Sequence, residues 1–191
     1  QKIASIYGDV LTIKANPYQG QIYTLDGDDR ITIDGNQGHS IYINLDAGDD
    51  VLNVINSTWT SYSQTNTTDV TVSGGDGADS ITTGAGDDTI YGDCSIYQLR
   101  LCVYDFEEST GGDVDTIRAG SGDDFIHGGA GADLLWGGTG SDAFAFDHQG
   151  QFGDTIYDFQ AGIDQLAVVN VFTREDLDNA SFADVFRITQ S

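Results

Sequence analysis

Between residues 74 and 146 an apolar residue stands again and again at the centre of a short triplet: Ile81, Ile90, Ile117, Ile126, Leu135 and Phe144. Six positions, mostly polar, glycine or alanine, precede each triplet. Residues 128–136 read GGAGADLLW and residues 137–145 read GGTGSDAFA, so the unit is nine residues: two glycines, a free position, a third glycine, a free position, aspartate, then the triplet. The same unit fits residues 74–82 (GGDGADSIT), 83–91 (TGAGDDTIY) and 119–127 (AGSGDDFIH). It fits more loosely at 24–32 (TLDGDDRIT), 45–53 (LDAGDDVLN) and 110–118 (TGGDVDTIR), and 34–42 (DGNQGHSIY) has His39 where aspartate belongs. A triplet is a short strand with its middle residue facing inward. The six positions before it make a turn, in which glycine supplies backbone conformations with positive φ. The pattern predicts an all-β fold, a parallel β-roll in which each nonapeptide is half of a flattened solenoid coil.

Spacing reinforces the reading. Sixth-position aspartates fall at 79, 88, 115, 124, 133 and 142, in steps of 9, 27, 9, 9 and 9. The step of 27 is three periods, so residues 92–109 are expected to replace two units without breaking register. Upstream, the steps of 21 from Asp29 to Asp50 and 29 from Asp50 to Asp79 slip. Three regions follow: an irregular start at 1–73 with an excursion at 54–73, a regular roll at 74–145 interrupted at 92–109, and a short strand-rich C-terminal cap at 146–191 with a short helix over 173–179. The excursion, rich in Ser and Thr, is expected to be a hairpin or a long loop.

Charge changes the picture next. The chain has 31 acidic against 7 basic residues among 191, a formal charge of −24, and 28 of the acids are Asp. Acidic helices and tails favour Glu, whereas Asp is a turn residue. With 39% apolar residues, ordinary disorder is a poor account. Seven scattered cations cannot form the basic stripe that a nucleic-acid partner needs, and anionic membrane surfaces would repel the chain. No apolar run approaches the length of a membrane span, so membrane insertion by this fragment is not expected. Gln1 is not an initiator and no leader pattern opens the chain, which is therefore expected to be a piece of something longer.

Turns alternate sides, so units n and n+2 stack. Asp115 is thereby placed beside the turn at 128–133, and Asp124 beside the turn at 137–142. Two unit charges about 4 Å apart repel by roughly 4 kcal/mol at an effective dielectric of 20. A cation between them removes that cost. The donors on offer are carboxylate and carbonyl oxygens, a hard and flexible set that suits Ca²⁺ better than Mg²⁺ or Zn²⁺. The candidate ligands are Asp26, Asp29, Asp46, Asp50, Asp76, Asp79, Asp87, Asp88, Asp113, Asp115, Asp123, Asp124, Asp133 and Asp142. The turn glycines that shape the sites are Gly74, Gly75, Gly77, Gly84, Gly86, Gly120, Gly122, Gly128, Gly129, Gly131, Gly137, Gly138 and Gly140. Three-residue strands bury little apolar area per coil, so several bound Ca²⁺ ions are expected to supply part of the folding free energy.

The repeat resembles the RTX (haemolysin-type) calcium-binding β-roll, over roughly 24–53 and 74–145. Residues 146–168 (FDHQGQFGDTIYDFQAGIDQLAV) and 181–191 (SFADVFRITQS) resemble strands that follow the repeats in that family. The resemblance implies a secreted or cell-surface protein exported by a type I system, folding on calcium outside the cell. It leaves room for an adhesin or matrix module that binds glycan or self-associates, and for an accessory domain of a secreted polysaccharide-modifying enzyme or protease.

Other features are weaker. Cys94 and Cys102 flank SIYQLRL inside the interruption, a spacing that permits either a disulfide or two buried thiols. Phe125, Leu134, Trp136, Phe144 and Phe146 read as a surface covered by the cap, or as an aromatic platform for sugar rings, with Tyr91, Tyr97, Tyr104 and Trp59 as further candidates. His39, His127 and His148 form no HExxH, and no GxSxG, P-loop or EF-hand loop occurs, so no catalytic residues and no enzymatic activity are expected.

Overall fold

The short, glycine-punctuated apolar triplets fold as the period requires. The structure, a computed structural model, describes residues 8, 10–14, 20–34, 40–55, 59–61, 64–66, 69–93, 113–146, 153–168 and 186–188. Strands alternate between two parallel sheets. One contains, in spatial order, β1 (Val10–Lys14), β3 (Arg30–Asp34), β5 (Val51–Ile55), β9 (Ser80–Ala85), β11 (Thr116–Ser121), β13 (Leu134–Thr139), β15 (Asp154–Ile156) and β17 (Phe186–Ile188). The other runs β2 (Gly20–Tyr23), β4 (Ile41–Ala47), β8 (Val70–Asp76), β10 (Thr89–Tyr91), β12 (Phe125–His127), β14 (Ala143–Phe146) and β16 (Gln165–Val168). This is an all-β, parallel β-roll.

The core lies between the sheets as two facing columns. Register stacks Ile31, Leu52, Ile81, Ile117, Leu135 and Ile156 in one sheet, all at most 1% exposed. In the other it stacks Ile43, Val72, Ile90, Ile126 and Phe144, all fully buried. Each such side chain contributes about 1.5–3 kcal/mol by leaving water. All six triplet centres foreseen from the period, from Ile81 to Phe144, point inward.

Three stretches differ from the sequence expectation in an informative way. The interruption after Tyr91 replaces no coil, because β9 pairs directly with β11 (Ile81↔Ile117) and β10 with β12 (Ile90↔Ile126). Residues 94–112 of the interruption lie outside the described residues. The slipped steps upstream are whole coils of unequal length: Asp34 pairs with Ile55 and Val51 with Ser80 across adjacent strands. The longer one carries a small antiparallel hairpin of β6 (Trp59–Ser61) and β7 (Gln64–Asn66), while β5 and β8 take up residues 54–55 and 70–73 of the expected excursion. Finally, β15, β16 and β17 extend both sheets in parallel, continuing the winding through the region expected to form a cap. The helix expected at 173–179 lies outside the described residues.

Candidate metal centre

Because every coil carries its aspartate immediately before a strand, parallel register stacks the turns into two columns, one along each edge of the roll. In the first, the buried carboxylates form an unbroken ladder. The backbone N–H of Asp29 donates to Asp50 Oδ1 (2.7 Å), that of Asp50 to Asp79 (2.9 Å), of Asp79 to Asp115 (2.8 Å), of Asp115 to Asp133 (2.9 Å) and of Asp133 to Asp154 (2.9 Å). Along the other edge the N–H of Val70 donates to Asp88, Asp88 to Asp124, Asp124 to Asp142 and Asp142 to Asp164. Fifth-position aspartates build a second, exposed ladder that runs the opposite way: Asp87 Oδ1 accepts from Asp123 N and Asp123 Oδ1 from Ser141 N.

One carboxylate oxygen of each inner rung is thus spoken for. The second is not. Asp50, Asp79, Asp115, Asp124, Asp133 and Asp142 are at most 2% exposed, and the Oδ2 of each is buried without a hydrogen-bond partner. An unpartnered buried carboxylate oxygen is expensive. Burial, reinforced by the neighbouring carboxylates, pushes the pKa of Asp79 up to about 9, of Asp115 and Asp124 to about 8, and of Asp50 to about 7. Asp133 and Asp142 are raised by burial to about 6. At neutral pH and without a counter-charge, this ladder resists full ionisation.

Glycine opens the space into which those oxygens point. A Cβ on Gly74 would strike Asp79 Oδ2 and the Gly92 carbonyl oxygen, and one on Gly92 would strike Asp115 Oδ2 and the Gly128 carbonyl oxygen. Gly128 and Gly137 face Asp133 Oδ2 and Asp142 Oδ2 in the same way. At the second position, Gly75 (φ +118°) lies so close to the Asp46 carbonyl that no side chain fits, and its register partner Asp46 itself adopts φ 77°. The lining is therefore all oxygen, from one carboxylate and stacked carbonyls. Among the described residues no three acidic, histidine or cysteine side chains converge on a single point, so carbonyls must complete any coordination shell. A hard cation with flexible geometry fits this donor set.

The nonapeptide itself decides the matter: the model of the RTX calcium-binding nonapeptide repeat, in four copies, matches residues 71–93 and 109–144. These are RTX repeats. RTX nonapeptides bind several Ca²⁺ ions, which supply the positive charge that the orphaned oxygens lack. A comparison with curated proteins finds no match.

The turns place the expected ligands unequally. Asp29, Asp50, Asp79, Asp88, Asp115, Asp124, Asp133 and Asp142 stand on the two inner ladders. Asp87 and Asp123 stand on the exposed ladder instead, their Oδ1 atoms holding backbone N–H groups. Asp26 and Asp76 lie beside Asp46 on the rim, where partial burial and then these two charges raise the Asp46 pKa. Asp113 is exposed and presents its carbonyl to Gly131. Gly77, Gly84, Gly86, Gly120, Gly122, Gly129, Gly131, Gly138 and Gly140 all take positive φ in their turns. Cys94 and Cys102 lie outside the described residues.

Several contributors escaped the nine-residue template. Asp154 and Asp164 end the two ladders, and both open the pattern Asp-x-apolar (DTI and DQL), a signal that survives where only part of the glycine framework does. Asp158 accepts from Gly137 N (3.0 Å) and Gly138 N (2.9 Å) with its two oxygens. Asp93 accepts from Ala130 N (2.5 Å), and burial followed by Asp115 and Asp133 pushes its pKa up to about 9.

Proposed function

We propose that the chain is a non-catalytic calcium-dependent folding module of a secreted or cell-surface protein. The observation that carries this reading is the set of buried aspartates, Asp50, Asp79, Asp115, Asp124, Asp133 and Asp142, whose second oxygens have no protein partner. At cytosolic calcium these charges oppose the roll. In the extracellular range, with expected site affinities of about 10⁻⁴–10⁻³ M, binding favours it. Export as a flexible chain followed by folding outside, as in type I secretion, follows from such a switch. Circular dichroism during a calcium titration tests it. Strand signal should be small in chelator and rise cooperatively with calcium; a spectrum already complete in chelator would overturn the proposal.

An alternative role as a sugar-stacking adhesin draws less support from the aromatic face. Trp136 stacks on Tyr157 (centroids 4.3 Å apart, planes within 5°) while the Arg118 guanidinium covers the ring at 4.1 Å, so protein groups already occupy its π surface. Phe144 and Phe146 are core residues, at most 1% exposed.

A further inference from the structure

On either side of the interruption, Gly92–Asp93 and Asp113–Asp115 occupy the opening and closing places of a turn stacked between those beginning at 74 and 128: Gly75 N donates to the Gly92 carbonyl (2.8 Å) and Asp79 N to Asp115. This turn carries a second buried carboxylate. Its second residue is Asp93, where the turns beginning at 74, 83, 119, 128 and 137 have glycines of positive φ, Gly75, Gly84, Gly120, Gly129 and Gly138. The Asp93 side chain lies against Gly129 of the next coil and accepts from Ala130 N with Oδ2. Its Oδ1 is buried without a hydrogen-bond partner, the one such carboxylate oxygen outside the sixth position among the described residues. Asp46, the other second-position aspartate, stands on the rim beside Asp26 and Asp76 instead. Both carboxylates of the turn also border one stretch of backbone. The space beside Gly92 is bounded by Oδ2 of Asp115, a residue 0% exposed, and by the Gly128 carbonyl oxygen, while Asp93 meets the residue that follows, Gly129. After burial, Asp115 is the strongest influence raising the Asp93 pKa.

Resting on the calcium reading above, we infer that Asp93 is a calcium ligand supplied from outside the repeat template, and that it makes this turn the tightest site of the roll and the first to load. The sixth-position carboxylates recur along the column, whereas here one more unit of negative charge, already withdrawn from water, is added to them. Ligand charge and rigidity set the affinity of oxygen-only calcium sites. Asp93 is the last described residue before the interruption and Asp115 directly precedes β11. An ion held by both therefore ties the two sides of the interruption together.

Calcium calorimetry on the full 191-residue chain tests this, with wild type beside Asp93→Asn, Asp93→Gly and Asp34→Asn. Wild type should bind one ion at least about tenfold more tightly than the rest. Asp93→Asn keeps an acceptor for Ala130 N and Asp93→Gly restores the residue the repeat uses there; each should lose the tight phase while binding as many ions at saturation. Asp34→Asn removes the same charge from β3 and should keep that phase. Circular dichroism in saturating calcium shows whether each variant folds, and the glycine variant decides if the asparagine one does not. A tight phase that survives in a folded Asp93 variant, or a wild type with a single class of sites, would overturn the inference and leave the calcium reading intact. A wild-type chain that binds no calcium would overturn that reading itself, so the two failures are distinct.

Discussion

Asp79 shows what a single carboxylate does in this fold. Its Oδ1 anchors the Asp50 N–H, its Oδ2 has no partner, and burial raises its pKa to about 9. An amide keeps an acceptor for the first and discards the charge that makes the second costly. Asp79→Asn is therefore expected to stabilise the metal-free roll at neutral pH while weakening calcium binding, so that more strand signal appears in chelator and the calcium midpoint moves upward. Chelator spectra and a calcium titration of the variant check both directions. Proton linkage gives a companion expectation. Asp50, Asp79, Asp115, Asp124 and Asp154 all have folded pKa values raised from 3.8 to between about 7 and about 9. A raised pKa means that the folded state binds protons more tightly, so this contribution is complete below the unfolded value and is lost as pH rises through the folded values. Without calcium, strand content should therefore grow as pH falls from 9 towards 5, as followed by circular dichroism in chelator; a signal flat across that range would contradict it.

At the scale of strands and turns, the register ties each turn to a core rung. Phe144, fully buried at the centre of β14, packs against Phe159 at 6.2 Å between ring centroids. Truncation to alanine there should cost about 3–5 kcal/mol, read as a lower thermal midpoint in saturating calcium. The nine-residue period made the triplet centres and the sixth-position aspartates legible because both are fixed by sequence distance within one turn and one strand. Distance along the chain could not show where additional residues go. The step of 27 between Asp88 and Asp115 reads equally well as missing coils or as a protruding segment, since a long surface loop costs little closure entropy. Only the pairing of Ile81 with Ile117 separates the two. Likewise Asp154 and Asp164 keep only part of their glycine context, and the two functions of a GDD pair, inner rung and exposed rung, depend on which way each side chain faces.

For the whole molecule, an interruption across which β9 pairs directly with β11 and β10 with β12 should be dispensable for winding. Replacing residues 94–112 by one residue restores nine-residue spacing between Asp88 and the aspartate of the next triplet. Closing a loop of that length costs about 2–3 kcal/mol, so the shortened chain is expected to reach the same calcium-saturated spectrum with an equal or higher melting temperature. A lower melting temperature would show that the segment supports the roll. The charge of −24 also acquires a place: much of it lies in two parallel lines of aspartates, where each bound Ca²⁺ cancels two units. The layered stack of Arg118, Trp136 and Tyr157 draws on three successive coils of one sheet, β11, β13 and the residue that follows β15. Its indole is thus sheltered only when those coils have come together. The chain carries an optical gauge of its own assembly: with Trp59→Phe removing the second indole, Trp136 emission reports when the C-terminal coils close, separately from the global strand signal.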